Sequence, residues 1–247
     1  MPDEQPLTRL GADVEAFPDP NHALIEPNGL LAIGGDLSSQ RLLAAYRRGI
    51  FPWFDEEPIL WWCPHPRAVL FLSDLYISHR LKKTLKRGQF DVKMDENFAE
   101  VIQQCAAPRL RHGHIEQGTW ITPEMQKAYI DLHQQGYAHS VEVYVHQQLV
   151  GGVYGVSLGR NFFAESMFSK QRDASKIALI HLVLQLQQWN FEFIDCQIWS
   201  AHLATLGVTT LDRSLFLQKI ATNNKFDSKI GKWHLAPSLL QGSLLAQ

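Results

Sequence analysis

Two apolar strands joined through one helix constrain this chain more than any other feature. Residues 161–168 read Asn-Phe-Phe-Ala-Glu-Ser-Met-Phe, an aromatic strand with a carboxylate at its middle. Residues 174–188 read as a helix, and residues 191–199, Phe-Glu-Phe-Ile-Asp-Cys-Gln-Ile-Trp, as a second strand. A strand, a crossing helix and a strand make the two strands parallel. Their carboxyl ends then point the same way, to the edge where open α/β sheets bind ligands. Strand alternation puts Phe163, Glu165 and Met167 on one face. It also groups Asp195, Gln197 and Trp199 opposite Ile194, Cys196 and Ile198. A charge among apolar neighbours is costly unless it is paired or has a task. Glu165, Asp195 and Gln197 are therefore expected to gather at one rim.

The rest of the chain supplies a setting for this unit. The first twenty residues hold four prolines and read as a loose arm. Residues 30–35 form a short strand or turn, and Ser38 caps a helix that ends at Gly49. The aromatics and prolines of residues 50–66 suggest an irregular packed connector, with a domain boundary near residue 66. Beyond it come a strand at 68–72 and a basic helix at 78–87. A helix capped by Asn97 and Glu100 follows, then a loop at 108–117. Thr122 and Pro123 open the next helix, which Gly136 stops. A hairpin turns at His146 and Gln147. The expected fold class is α+β: a small N-terminal α/β domain (1–66), then a mixed sheet with flanking helices (67–247). Antiparallel strands feeding one parallel crossover are similar to the acyl-CoA N-acyltransferase (GNAT) core, a fold-level analogy that says nothing of substrate.

Composition excludes several classes. Lys plus Arg is 23 against 25 Asp plus Glu, so bulk charge does not coat nucleic acid, and any such contact is local. No apolar run approaches the roughly 20 residues that cross a bilayer, and the polar N-terminus does not read as a signal peptide. The three cysteines are isolated and form neither a disulfide framework nor a zinc spacing. A cytoplasmic protein is expected, of a charge and size that allow a monomer. His112 and His114 have no obvious carboxylate or thiolate partner, so no metal is expected.

Motifs in order along residues 17–215 carry a closer resemblance. They are EPNGLLAIGGD at 26–36, YRRGIFPWF at 46–54, Trp61 and Trp62, and PHPR at 64–67. Next come GTWI at 118–121, AHSVE at 138–142, LVGGVYG at 149–155, ESMFS at 165–169 and ASK at 174–176. IDCQ at 194–197, His202, and Leu206 with Gly207 complete the set. Together they resemble the leucyl/phenylalanyl-tRNA–protein transferase family. The resemblance implies a GNAT-like catalytic domain, an aminoacyl-tRNA donor carrying Leu or Phe (less well Met), and a protein acceptor with N-terminal Arg or Lys, marked thereby for N-degron degradation. It implies no cofactor. In agreement, the turn after the first strand, Ser-Lys-Gln-Arg-Asp, lacks the Gly-rich loop that cradles a pyrophosphate. Asp173 stands where the family has Asn, Ala164 where Gly is usual, and residues 208–212 depart from its Ile-Pro pattern.

The resemblance assigns the catalytic roles to Asp195 and Gln197, with Glu165 nearby. Two residues apart on a strand, Asp195 and Gln197 span about 6.6 Å and can bracket one reacting centre. Asp195 is read as holding the acceptor amine and Gln197 as positioning it, because a neutral amide is a poor base. Trp53 and Trp120 match aromatics that hold the 3′ adenosine. Phe162, Met167, Leu182 and Ile194 match the pocket for the aminoacyl side chain. Arg80, Lys82, Lys83, Lys86 and Arg87 suit phosphates of an acceptor stem. Each has an ordinary alternative: an ion pair, core packing, or a solvated helix face. An acyltransferase using another donor, such as the peptidoglycan branching enzymes that also accept aminoacyl-tRNA, and a non-catalytic RNA-binding module are the competing functions.

Overall fold

The structure is a computed structural model that describes residues 7–111, 114–116 and 120–239, with side chains undescribed over 109–119. The N-terminal part forms a four-stranded sheet in the order β1-β2-β4-β3. These strands are β1 (Thr8–Leu10), β2 (Leu30–Gly34), β3 (Phe51–Pro52) and β4 (Leu60–Trp62). Helix α1 (Ser39–Arg47) lies between β2 and β3, with the Ser38 hydroxyl accepting from the Arg41 amide as its cap. Two expectations fail here. The arm is pinned because β1 pairs in parallel with β2. The aromatic connector is partly regular, since Phe51 and Pro52 pair with Trp62 and Trp61.

A seven-stranded sheet in the order β13-β5-β12-β11-β10-β9-β6 forms the second layer. Its strands are β5 (Arg67–Phe71), β6 (Asp91–Met94), β9 (Ala138–Val145), β10 (Gln148–Leu158), β11 (Asn161–Ser169), β12 (Phe193–Gln197) and β13 (Thr209–Leu211). The region read as a loop holds a small antiparallel pair, β7 (Arg109–Arg111) and β8 (His114–Glu116). The helices are α2 (His79–Lys86), α3 (Phe98–Ala106), α4 (Pro123–Gln134), α5 (Ala174–Gln188), α6 (Ala201–Ala204) and α7 (Arg213–Asn223). The cap expected from Asn97 is altered: its side-chain amide donates to Glu100, not to the helix backbone. The β9–β10 turn does have both His146 and Gln147 at positive φ, 50° and 64°, the backbone twist that two-residue hairpins need.

As the sequence order requires, β11 and β12 are parallel. Helix α5 crosses between them with apolar residues on nearly all sides and is almost wholly buried on one face of the sheet. The other face packs on α3, α4 and the apolar residues of β1–β4 and α1, in one continuous core. The C-terminal segment closes both layers. Phe216 of α7 is buried in the first core and Trp233 in the second, where Trp233 stacks on His139 at 3.6 Å. Among the described residues no helix is long and apolar enough to cross a membrane.

Candidate active site

Pairing between β11 and β12 covers only Phe162 with Ile194 and Phe163 with Asp195. Just beyond, both strands are irregular. On β11, Tyr154 opposes Ser166 and Gly155 opposes Ala164, so Glu165 is the extra residue of a bulge. On β12, Asp195 opposes Val69 and Gln197 opposes Ala68, so Cys196 is extra. Bulges end pairing and re-aim side chains. A Cβ on Gly155 would lie 2.2 Å from the Phe163 carbonyl oxygen, so this bulge needs a glycine partner. The bulge also overturns the expected alternation. Phe163 belongs to the core on the α4 side, whereas Met167 packs on the α5 side.

The expected trio does converge. Gln197 Nε2 donates to Glu165 Oε1 at 3.2 Å, and the Gln197 amide donates to Asp195 Oδ1 at 2.9 Å. Their exposure differs. Asp195 is fully buried, and its two oxygens accept from Arg67 Nε at 2.8 Å and Nη2 at 2.6 Å. The sequence reading gives Asp195 to the acceptor amine; here its oxygens face the Arg67 guanidinium and the Gln197 backbone amide. Gln197 has φ 53°, a left-handed conformation that a residue with a side chain keeps only under such constraint. After it the chain leaves the sheet, so Ile198 and Trp199 are exposed and not strand residues.

Glu165 is held by two helices. The Tyr46 hydroxyl of α1 is hydrogen-bonded to Oε1 at 2.8 Å, and the Tyr129 hydroxyl of α4 to Oε2 at 3.1 Å. Burial pushes the Glu165 carboxyl up to about 7. Burial, and then the neighbouring carboxylate, raise both tyrosines well above the usual phenol range. Burial likewise raises Cys196, which stays a neutral thiol and no nucleophile at neutral pH.

Two cavities meet at this point. One, of about 750 Å³, is lined by Met167, Val153, Leu179 and Leu203 with Ser175 and His202 at its polar side. The other, of about 190 Å³, is lined by Phe51, Pro52, Trp53, Trp120 and Ile198. Glu165, Cys196 and Gln197 line both. Trp53 is 40% exposed and packs at 5.5 Å on Trp62, whose indole donates to the Trp53 carbonyl. Of the four residues expected to form the aminoacyl pocket, Met167 lines the large cavity. Phe162, Leu182 and Ile194 are packed in the core, at most 1% exposed, and do not line that cavity. Alternating apolar residues look the same in either role.

The basic helix α2 divides. Arg80, Lys83 and Arg87 face a separate cleft of about 280 Å³ with Arg172 and Asp173, whereas Lys82 and Lys86 do not line it. Asp173 sits at φ 69° before α5, a conformation that Asn and Asp tolerate better than most residues. The turn over 169–173 is braced by the Ser169 hydroxyl, which donates to the Gln171 carbonyl and accepts from the Ser175 amide. Among the described residues no group of three or more His, Cys, Asp and Glu is placed to hold a metal. The His112 and His114 pair lies outside the residues whose side chains are described.

Sequence reading missed Arg67, Tyr46 and Tyr129. Arg67 and Tyr46 lie inside motifs that give them no role, and Tyr129 lies within the helix read between Pro123 and Gly136, also without one.

A polar cluster on parted strands, between an apolar cavity and a tryptophan-lined slot, has the parts that an acyl-group transferase needs. Comparison with known proteins gives the class its identity. The family described as leucyl/phenylalanyl-tRNA protein transferase matches residues 69–221, and its N-terminal domain matches residues 35–65. The leucyl/phenylalanyl-tRNA–protein transferase of Nitrosomonas europaea is 52% identical over 219 residues, covering 88% of this chain and 91% of the relative. That of Cellvibrio japonicus is 55% identical over 201 residues, covering 81% and 84%. Among solved structures, L-PGS from Bacillus licheniformis matches with a TM-score of 0.38 at 12% identity, covering 82% of this chain and 66% of that one. The chain belongs to the leucyl/phenylalanyl-tRNA–protein transferase family. It is an aminoacyltransferase, whose donor is an aminoacyl-tRNA and whose acceptor is a protein.

Proposed function

We propose that this enzyme moves Leu or Phe, and Met less well, from the 3′ end of charged tRNA to proteins that begin with Arg or Lys, and so marks them for degradation. The observation that carries this reading is the sharing of Glu165 and Gln197 by the two cavities. The donor's uncharged side chain enters the large cavity beside Met167, while the terminal adenine lies against Trp53 and Trp120. The ester between them then falls at Glu165 and Gln197. The acceptor amine, with a pKa of roughly 7.7–8.0, is in part free at neutral pH. Its nitrogen attacks the ester carbon, the bond to the ribose 3′-oxygen breaks, and the amine proton ends on that oxygen. Gln197 orients the reactants by hydrogen bonding, and Asp195 acts through Gln197. The reaction needs no cofactor. We read the mixed sheet as GNAT-like, residues 1–66 as a small domain contributing Tyr46 and Trp53, and the enzyme as a cytoplasmic monomer.

The test is transfer of labelled Leu or Phe from charged tRNA to peptides starting with Arg, Lys or Ala. Transfer to the first two alone is the expected result. Transfer to none, or equally to all, sinks the reading. Base stacking on an aromatic contributes about 1–3 kcal/mol. Trp120→Ala is therefore expected to raise KM for charged tRNA by about 5- to 150-fold, with a smaller change in kcat. An unchanged KM would return Trp120 to a packing role.

The cleft beside α2 is read as a phosphate site for the tRNA backbone. Each phosphate neutralised contributes about 0.9 to the slope of log K against log salt on a duplex. Removing Arg80, Lys83 and Arg87 together by alanine is expected to lower that slope by about 2–3 while kcat at saturating tRNA stays close to wild type. An unaltered slope would leave α2 as a solvated surface helix.

A further inference from the structure

The corner around Glu165 has a proton count that does not close for a carboxylate. Tyr46 and Tyr129 hydroxyls are in direct hydrogen-bond contact with each other. Tyr46 also contacts Oε1 of Glu165 at 2.8 Å, and Tyr129 contacts Oε2 at 3.1 Å. These three oxygen-to-oxygen contacts form a closed ring, and each needs one proton between its atoms. A phenol carries one proton, and an ionised carboxylate carries none. Neither phenol is exposed to water as an alternative partner, since both tyrosines are 0% exposed. With Glu165 ionised, two protons would serve three contacts, and one pair of oxygens would meet lone pair to lone pair. With a proton on Glu165 the ring closes: Oε2 donates to Tyr129, Tyr129 to Tyr46, and Tyr46 to Oε1. Each hydroxyl then donates once and accepts once, the arrangement in which hydrogen bonds polarise one another favourably. Gln197 Nε2 adds a second donor to Oε1 at 3.2 Å without disturbing the count.

We infer that Tyr46, Tyr129 and Glu165 form a closed ring of three protons that holds Glu165 as a neutral carboxylic acid, and that this acid carries the proton from the attacking amine to the departing ribose oxygen. The second half rests on the aminoacyl-transfer reading; the first does not. In the transfer step the amine nitrogen bonds to the ester carbon and the carbon–oxygen bond to the ribose breaks. The amine gives its proton to one oxygen of Glu165, and the other oxygen gives its own proton to the ribose 3′-oxygen. Glu165 ends neutral, with the direction of the ring reversed. The ring runs equally well in either direction, so either oxygen can give or take.

The surroundings agree with a neutral acid. Asp195 on β12 raises the proton affinity of Glu165 and Arg67 on β5 lowers it, but those two are paired with each other. Tyr154 of β10 packs edge-on against Tyr129, and Cys196 and His202 line the adjoining cavity. Burial already lifts Glu165 to about 7. The closed ring favours the protonated acid as well.

Infrared difference spectroscopy on the free enzyme tests the ring without any substrate. Subtracting the spectrum of Glu165→Gln cancels other buried acids, including Glu142, which burial also lifts to about 7. A protonated carboxyl band is expected at pH 6, fading with a midpoint at or above 7. In Tyr129→Phe the ring is open, the acid loses its acceptor, and the midpoint is expected to fall by about one unit, the size of one buried hydrogen bond. If the phenols merely donate to a carboxylate, removing one raises the midpoint. A rise, no shift, or no band at pH 6 overturns the ring. Tyr46→Phe makes the same measurement should Tyr129→Phe fail to fold. The basic limb of the transfer rate at saturating charged tRNA is expected to move down with the infrared midpoint. A limb that stays in place overturns the proton-carrying role and leaves the ring. Absence of transfer in wild type with the infrared result intact would instead overturn the activity reading.

Discussion

Replacing Arg67 by Met is expected to cost about 3–5 kcal/mol of folding stability, read as a fall in the midpoint of chemical denaturation at pH 7. Arg67 and Asp195 are both 0% exposed and are joined by two hydrogen bonds. The guanidinium is clamped between two rings, 4.8 Å from Phe51 and 4.6 Å from Phe216. One ring comes from β3 of the N-terminal sheet and the other from α7, so the pair lies where three parts of the chain meet. Removing the cation leaves a carboxylate buried without a counter-charge, and that penalty is larger than the net worth of the pair. Removing both charges, as Arg67→Met with Asp195→Leu, is expected to restore most of the stability. It should not restore activity, because Asp195 Oδ1 also fixes the Gln197 amide and its left-handed backbone. Arg67→Lys keeps the charge but loses the two-point grip and is expected to fall between. A loss below about 1 kcal/mol for Arg67→Met would mean that water or relaxation reaches this pair and that it is not the junction described.

The parallel crossover was legible because its signals are local. Alternation, helix length and strand order fix β11, α5 and β12 without knowledge of any distant residue. Caps at Ser38 and Thr122 act within one turn, and each accepts the amide three residues on. The bulges at Glu165 and Cys196 were not legible. Each is one added residue with no local marker; the glycine that makes room for the first lies on another strand, at Gly155. Strand β1 escaped for a similar reason, since three residues become a strand only by pairing with β2.

The site was readable to the same limit. The polar trio and both tryptophans come together as expected, because strand ends and family motifs indicate them. Partners that act across long separations were missed. Arg67 and Asp195 are 128 residues apart in sequence, and Tyr46 and Tyr129 are 83 apart. Periodicity cannot pair such residues. It also cannot distinguish the floor of a pocket from its wall, so the pocket roles of Phe162, Leu182 and Ile194 rest on the resemblance alone.

Glu165→Gln is expected to lower kcat for transfer by about 10²- to 10⁴-fold, the usual scale of general acid–base catalysis, with KM for charged tRNA nearly unchanged. The amide keeps the size of the carboxyl and can still bond Tyr46, Tyr129 and Gln197. It cannot give up one proton while taking another, so the loss isolates proton carriage from packing. The pH dependence separates the two further. In wild type the rate should rise as the acceptor amine deprotonates near 7.7–8.0. It should fall again as the Glu165 acid, already lifted to about 7 by burial, loses its proton. The result is a narrow bell in which few molecules have both groups in the required state. In Glu165→Gln the basic limb should vanish, leaving a small residual rate that climbs with amine deprotonation alone. Glu165→Asp retains an acid but withdraws it from at least one phenol, so it should keep the bell, shift its basic limb and recover only part of kcat. A glutamine variant with wild-type kcat, or one that retains the basic limb, would move the proton transfer to another group and leave Glu165 as a support for Gln197.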